Sequence, residues 1–581
     1  MTAQNKTRMT RRNFLQRAGL GAASITLAAC TPQVIQTTAP TAAQATSAPQ
    51  ATAAQATSAP QATAAQGAIA PLVTAAPGQK ILQVAYGSEI DCLNAFTSQD
   101  LCDIEFTMQE GLIQNDEKGQ VIPVLAKEIP TMANGGIVDN KDGTYDMTWH
   151  LQPNIMWHDG QPFTSKDVAF TWKFVSDPNS QTYNTDDYRG IKSVSTPDDT
   201  TVVFHWDGLY GNYANIFESM LPEHLLGNLS VADIVTNVQF NRSAIGTGPF
   251  KFAEWKSGEY IRAVKNDNYW RGDQYPKIDE IVFSFFPDDN TRLNALKTGA
   301  YNLGEILPVQ VADLKNDPNG KLVLINSNTF LHFDTCIKTD KGKALFSDVN
   351  VRQAMFHAID RHAIATQLMQ GTVVVIDGSY NPSSVWFDKN VTDYNFDVAK
   401  AKQMLSDAGW VAGSDGILAK GGQKFSFTLM IRSGANDRVQ CGQVIQAQLK
   451  DVGIDVLFEA LEGNAWSAKW RSGQWEAIVS GWFLGADPSI TAIYGCGGSN
   501  NFTGYCDANL DKVMQASDKT LDFNTRKPLT DQAQELLATD AFSLPIYAEV
   551  LPWYVSNNMV NFKGGGTNFG SFWNVYEWGL S

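Results

Sequence analysis

Six cysteines, Cys92, Cys102, Cys336, Cys441, Cys496 and Cys506, are the side chains of the chain body most able to make or break bonds. Cys92/Cys102 and Cys496/Cys506 are each ten apart in Gly/Asn/Ser-rich surroundings, which suits local loop staples. Cys336 with Cys441 is what remains among the fifteen connectivities six cysteines allow, and several free thiols are the alternative. None of the spacings is a CxxC, so neither a redox dithiol nor a zinc site is expected. The seven histidines fall in no HExxH, and there is no GxSxG and no phosphate-binding GxxxxGK[ST] loop. No cofactor or metal is called for. Carboxylates are plentiful, which leaves a carboxylate-pair glycoside hydrolase as a distant alternative, although a solvated acidic surface explains them more simply.

The start of the chain sets the compartment. Thr10-Arg11-Arg12-Asn13-Phe14-Leu15 precedes an uncharged run, Ala18 to Ala29, that leads into Cys30. The pattern resembles a twin-arginine export signal joined to a bacterial lipoprotein cleavage site, so residues 1–29 are expected to be removed and Cys30 acylated. About twelve apolar residues fall short of the roughly 20 that cross a bilayer. The signal holds five basic side chains and no acidic one, so its removal takes the formal charge from −16 to −21. That acidity argues against nucleic acid and against adhesion to anionic lipid, leaving the lipid on Cys30 as the membrane link.

Residues 31–79 carry no charge, and the unit Ala45 to Gln55 repeats at 56–66. Low apolar content and recurrent prolines read as a disordered tether, residues 30–79 with the lipidated cysteine, reaching on the order of 40 Å. The remaining 500 residues exceed the size at which a single core divides, so at least two domains are expected. Periodicity predicts strands at 81–86, 145–151, 201–206, 278–286, 322–325, 425–431 and 477–482, and an extended aromatic segment at 544–555. Helices are predicted at 290–297, 349–369, 397–408, 438–452, 509–519 and 524–539. A further one follows the capping box Thr164-Ser-Lys-Asp167. The pattern is that of α/β lobes with at least one mixed sheet.

Four blocks then carry a family likeness. They are Gly143 to Leu151 with Trp157-His-Asp-Gly-Gln-Pro-Phe163; Gly246-Thr-Gly-Pro-Phe-Lys251 with Asn266 to Gly272 and Ile278 to Phe283; Phe346 to Arg361; and Asn501-Phe-Thr-Gly-Tyr505. In this order they resemble bacterial extracellular solute-binding protein family 5, which includes the dipeptide- and oligopeptide-binding lipoproteins of ABC importers. The resemblance implies a two-lobed periplasmic-binding-protein-like α/β fold, type II, of the large peptide-binding class. It places lobe I at 80–331 plus 546–581, with an extra subdomain at about 108–245, and lobe II at 332–545. Most residues of these blocks are expected to shape turns and core rather than to touch ligand.

The same resemblance nominates the ligand contacts. In dipeptide-binding members an Arg just after a second-lobe strand takes the ligand carboxylate, and an Asp three residues after a later Trp takes the amino group. Arg432 follows the strand at 425–431 and has the planar fork a carboxylate wants; a surface arginine at a strand end is the other reading. Three residues after Trp482, however, stands Gly485, and Asp487 lies two further on in an Asp-Pro step that also begins turns and helices. Further contacts are expected from Asn94 beside Leu93, from Tyr380 and Trp386 in a Pro-containing segment, and from Phe483. Aromatic walls suit peptides and sugars alike.

The expected function is non-catalytic: capture of a peptide, or of another small solute such as an oligosaccharide, between two closing lobes. Delivery to an ABC permease and its ATPase subunits would follow. The protein is expected to act as a monomer, exported and lipid-anchored on the outer face of the cytoplasmic membrane. A lipid-tethered scaffold is the remaining class.

Overall fold

Ten strands of the computed structural model, which describes residues 75–98, 103–180, 182, 185–566 and 570–581, join in one sheet. In chain order they are β1 (Ile81–Tyr86), β2 (Phe250–Lys256), β3 (Tyr260–Lys265), β4 (Glu280–Phe285), β5 (Leu303–Glu305), β6 (Gly320–Thr335), β7 (Ser426–Arg432), β8 (Asp455–Leu461), β9 (Ala477–Phe483) and β10 (Ser543–Ser556). Their spatial order is β8-β7-β9-β6-β10-β5-β1-β4-β3-β2. β1 runs parallel to β4 and β5, and β7 parallel to β8 and β9. β4 lies between β1, to which it is parallel, and β3, to which it is antiparallel, and it reads Glu-Ile-Val-Phe-Ser-Phe with every residue buried, as a strand covered on both faces does. Glu280 is tolerated there because its Oε1 accepts from Arg262 Nε at 2.6 Å.

Two long strands tie the halves together. β6 and β10 pair antiparallel from Gly320/Ser556 to Asn326/Val550, the ladder breaks, and it resumes at Phe330/Ala548 with a second shift after Leu331. Before the break β10 pairs with β5; beyond it β6 pairs with β9, Trp482 opposite Phe330. One core, including Leu82, Phe283, Trp149, Trp206 and Trp578, lies on the first side. A second, including Phe346, Phe427, Cys441 and Ile445, lies on the other. The chain is thus two-lobed, with the β6/β10 pair running through both lobes.

A separate four-stranded sheet (Ile137–Asp139, Tyr145–His150, Thr201–Trp206, Ile191–Asp198, in that order) projects from the first side. Helix α1 (Ser165–Val175) packs against it and starts at the predicted capping box, Asp167 Oδ2 accepting from Thr164 N at 2.8 Å. The predicted helix 349–369 is divided: α2 spans Val349–His357, and a new turn begins after Asp360, which caps Arg361–Ala363. Buried Arg361 accounts for the break, since it donates to Ile376 O and Pro545 O and pairs with Asp377 and Asp393. The helices that bear on the site are α3 (Asn436–Asp451), α4 (Gly463–Ser472), α5 (Ala508–Asp518) and α6 (Phe523–Asp540).

Cys496 and Cys506 are joined, which staples the loop ahead of α5. Cys336 and Cys441 are free, a correction to the expected pairing. They sit in different buried clusters, Cys336 with Met430 and Cys441 with Leu429 and Ile431. Successive β7 residues face opposite ways, so the sheet separates the two thiols. Cys92 is also a free, buried thiol, its Sγ against Asn94 O and Thr97 Oγ1. Its expected partner Cys102 lies outside the described residues, as do the export signal, Cys30 and nearly all of the tether. Among the described residues no helix is long and apolar enough to cross a membrane.

Candidate functional site

A cavity of about 530 Å³ opens between the lobes. One wall belongs to the projecting subdomain: Asp187, Arg189, Tyr210, Asn212, Asn215 and Glu218. The other is the end of β9 and its loop, Trp482 to Asp487, backed by residues around Thr491 and Asp518.

The loop wall is held from several directions. Trp482 stacks on His332 with centroids 5.9 Å apart and packs on Trp470 of α4 at 4.9 Å. Leu484 N donates to Asn328 O, and Asn328 Nδ2 donates to Gly485 O at 3.1 Å, so the loop is tied to the interrupted part of β6. Asp487 Oδ2 accepts from Arg526 Nη1 at 2.6 Å and Oδ1 from Nη2 at 2.8 Å, both side chains being 5% exposed. Asp487 Oδ1 also accepts from Ser489 N, which turns the chain after Pro488. Arg526 rises from α6, faces Trp386, and lies near Asp518 of α5.

The lobes touch at the edge of this cavity. Gly211 N donates to Asp518 O at 2.6 Å, and a Cβ on Gly211 would come within 2.6 Å of the Arg526 guanidinium. Only glycine lets the subdomain approach the Asp487–Arg526 pair this closely.

The structure brings Trp482, Phe483, Gly485 and Asp487 together at the cavity. Asp487 does not stand free for an ammonium, because Arg526 already matches its charge. Tyr380 is buried and donates from its hydroxyl to Pro488 O, and Trp386 packs on Phe523 beside Arg526; both support the loop from behind. Asn94 is fully buried in the first lobe, accepting from Phe96 N and donating to Asn241 Oδ1. Arg432 ends β7 with an exposed side chain lying over Gly463, off the cavity. The subdomain wall was not expected from sequence. Its signal is the stretch Tyr210-Gly-Asn-Tyr-Ala-Asn215, rich in turn formers and aromatics just after a strand.

A smaller cavity of about 170 Å³ lies where β5, β10 and the start of α3 meet, lined by Glu305, Tyr547 and Glu549 among others. Burial raises Glu549 to about 7, with Arg438 opposing and Asp437 and Glu305 adding. Burial also raises Asp103 to about 7, Glu305 adding, and Glu218 to about 8, Asp187 adding and a hydrogen bond from Asn115 opposing. Unfolded, these carboxyls titrate near about 4. The folded chain therefore binds more protons than the unfolded one between about pH 4 and 8, and their contribution to stability is lost as pH rises through that window. Calorimetric unfolding at constant ionic strength is expected to give a lower midpoint at about pH 8.5 than at about pH 6. A midpoint that rises over that interval would contradict the burial of these three groups.

No group of three or more His, Cys, Asp or Glu is placed to hold a metal among the described residues. The arrangement is a cavity between two lobes, with Trp482, Phe483 and three aspartates (Asp487, Asp511, Asp518) on one side and Asp187, Glu218, Arg189, Tyr210 and two asparagines on the other.

Two lobes joined by a pair of long strands and enclosing a polar cavity define a cleft-type binding protein. Residues 120–504 match the family described as bacterial extracellular solute-binding proteins, family 5, and the chain belongs to that family. It is 33% identical over 450 residues to the oligopeptide-binding protein AppA of Bacillus subtilis, covering 75% of this chain and 80% of that protein. It is 26% identical over 478 residues to di/tripeptide-binding protein 1 of Pseudomonas aeruginosa, covering 77% and 86%. The solved structure of B. subtilis AppA with a nonapeptide superposes with a TM-score of 0.74 at 29% identity, covering 87% of this chain and 99% of that one. NikZ of Campylobacter jejuni, in complex with Ni(L-His), shares the fold at a TM-score of 0.74 and 24% identity, over 86% of this chain and 99% of NikZ.

Proposed function

We propose that this chain is the solute-binding lipoprotein of an ABC-type importer, taking peptides into the cavity between its lobes and handing them to a membrane permease driven by ATPase subunits. The observation that carries the reading is the cavity itself, walled by both lobes and bounded by the Gly211–Asp518 contact, so that closure would bury what it holds. The named peptide binders AppA and di/tripeptide-binding protein 1 support peptide as the ligand. In this reading the protein binds without turning its ligand over.

We place lobe I at 80–331 plus 546–581, with its subdomain near 108–245, and lobe II at 332–545; the interrupted β6/β10 ladder supports a hinge there. Trp482, Phe483 and Gly485 are the proposed contacts from lobe II. Asp487, Tyr380 and Trp386 shape their loop, and Asn94 orders the segment after β1. Removal of residues 1–29 and acylation of Cys30 would hold the body at the outer face of the membrane on an uncharged tether. A Cys30→Ser chain is then expected to bind normally and leave the membrane fraction.

Incubating the mature chain with a peptide panel and a sugar panel tests the function. Tight peptide binding without new products is expected; binding of sugars alone, or release of cleaved product, would overturn it. Because Arg432 is exposed and off the cavity, Arg432→Ala is expected to change peptide affinity by less than about 0.5 kcal/mol. A calorimetric loss of about 2 kcal/mol or more would return the ligand carboxylate to Arg432.

A further inference from the structure

Resting on the peptide reading above, we propose that His332 is a positioning residue for the peptide-binding wall. Its imidazole, turned by Asp334 and stacked on Trp482, fixes the plane of that indole so that ring carbon, not the N–H, faces the ligand.

The placement follows from the pairing of β6 with β9. Phe330, His332 and Asp334 alternate with Leu331 and Phe333, so the first three share one face of β6. On β9, Trp482 stands opposite Phe330, Ser480 opposite His332 and Ile478 opposite Asp334. His332 is therefore the diagonal neighbour of Trp482, within reach of a ring of that size. Ser480 is small, which leaves room for the imidazole to lie against the indole, the two rings 10° from parallel with centroids 5.9 Å apart. Trp470 of α4 packs on the same indole at 45° and 4.9 Å, backed by Trp466 and Phe502. One ring from the sheet and one from a helix thus hold Trp482. Its Nε1 is buried and donates to no group among the described residues. Because Trp482 lines the cavity, the part of the indole that meets a ligand is carbon.

The pair behind the indole is a poor way to build a core. His332 is fully buried and Asp334 nearly so, with Nδ1 2.8 Å from Oδ1, but the approach lacks the alignment of a hydrogen bond. His332 Nε2 has no hydrogen-bond partner among the described residues. Ser543, opposite Asp334 on β10, receives the Tyr494 hydroxyl at 3.1 Å instead. Burying polar groups in this way costs free energy, and apolar side chains of similar size in place of such a pair are often neutral or stabilising. What the pair supplies is direction. Two side chains in contact, two residues apart on one strand face, restrict rotation of the imidazole about its Cβ–Cγ bond, and the stacked indole inherits that restriction. Stability and positioning are thereby separable.

The test uses the mature chain and three readouts. They are the urea unfolding midpoint, titration with a nonapeptide that the wild-type chain retains from a random nonapeptide library, and the near-ultraviolet circular dichroism of Trp482. The last is the difference between each unliganded chain and its Trp482→Phe counterpart. His332→Leu/Asp334→Leu removes the ring and leaves no stranded carboxylate. It is expected to unfold at or above the wild-type midpoint and to lose most of the Trp482 signal. It should bind the peptide about 3- to 10-fold more weakly, the cost of ordering a large side chain that is no longer held. His332→Phe/Asp334→Leu, which puts a flat ring back, is expected to restore the signal and to bring affinity within about twofold of wild type. Three results would overturn the role of His332: a leucine variant that keeps the Trp482 signal or wild-type affinity, one whose midpoint falls together with its affinity, or a phenylalanine variant that loses as much as the leucine one. If the wild-type chain retains no nonapeptide, the peptide reading falls, and the unliganded Trp482 signals still decide the role of His332.

Discussion

Replacing Arg526 with methionine is expected to destabilise the second lobe by about 3–5 kcal/mol, the cost of leaving a buried carboxylate unpaired. Asp487 has nowhere else to place its charge, because its side chain is 5% exposed and both oxygens face the guanidinium. The effect should extend beyond stability. The loop that Asp487 anchors carries Trp482, Phe483 and Gly485, so its release would remove one wall of the cavity. Denaturant unfolding measures the first effect and peptide titration the second. The double variant Asp487→Asn/Arg526→Met should recover most of the stability, because removing both charges avoids the stranded one. A single variant that loses less than about 1 kcal/mol would mean that the pair is solvated in solution and does not organise the loop.

Gly211→Val is expected to act on closure alone. Its Cβ would fall 2.6 Å from the Arg526 guanidinium, which cannot swing away while Asp487 holds it. Overpacking of this kind costs about 1–3 kcal/mol, but the cost arises only when the subdomain meets the second lobe. The unliganded chain can avoid it by opening. Peptide affinity should therefore fall by about 10- to 100-fold with no loss in unfolding midpoint, and the radius of gyration from X-ray scattering in the presence of peptide should remain at the unliganded value. Gly211→Ala, which adds a single methyl, should fall between. A variant that closes and binds as tightly as wild type would show that the Gly211–Asp518 approach is not part of the bound state.

How much of this was legible in the sequence depends on how local the determinant is. The capping box at Thr164 and Asp167 needs four residues and was readable, as were strands such as Ile81–Tyr86 and Ala477–Phe483, whose apolar runs stand between turn formers. β2 and β8 were missed because Lys251, Glu254 and Lys256, and Asp455 and Glu459, interrupt their runs with charges that an edge position of the sheet tolerates. β6 was read only at 322–325 because Asn326-Ser-Asn328 looks like a loop; it is the interrupted stretch of one long strand. The site divides in the same way. Trp482, Phe483 and Gly485 follow a recognisable strand and could be nominated. The role of Asp487 could not be read, because it is decided by Arg526, thirty-nine positions later on another element. Asp187, Asn212 and Glu218 reach the cavity only because the subdomain folds across to the second lobe, and no local pattern encodes that approach.

The central claim is that the space between the lobes holds a peptide and releases it unchanged. Mass spectrometry of small molecules set free by unfolding the mature chain, after its purification from the native host under non-denaturing conditions, tests it most directly. One peptide per chain, of the same mass before and after prolonged incubation with the protein, is the predicted result. Recovery of a sugar or other non-peptide solute at that stoichiometry, or of a peptide that the chain cleaves on standing, would contradict it.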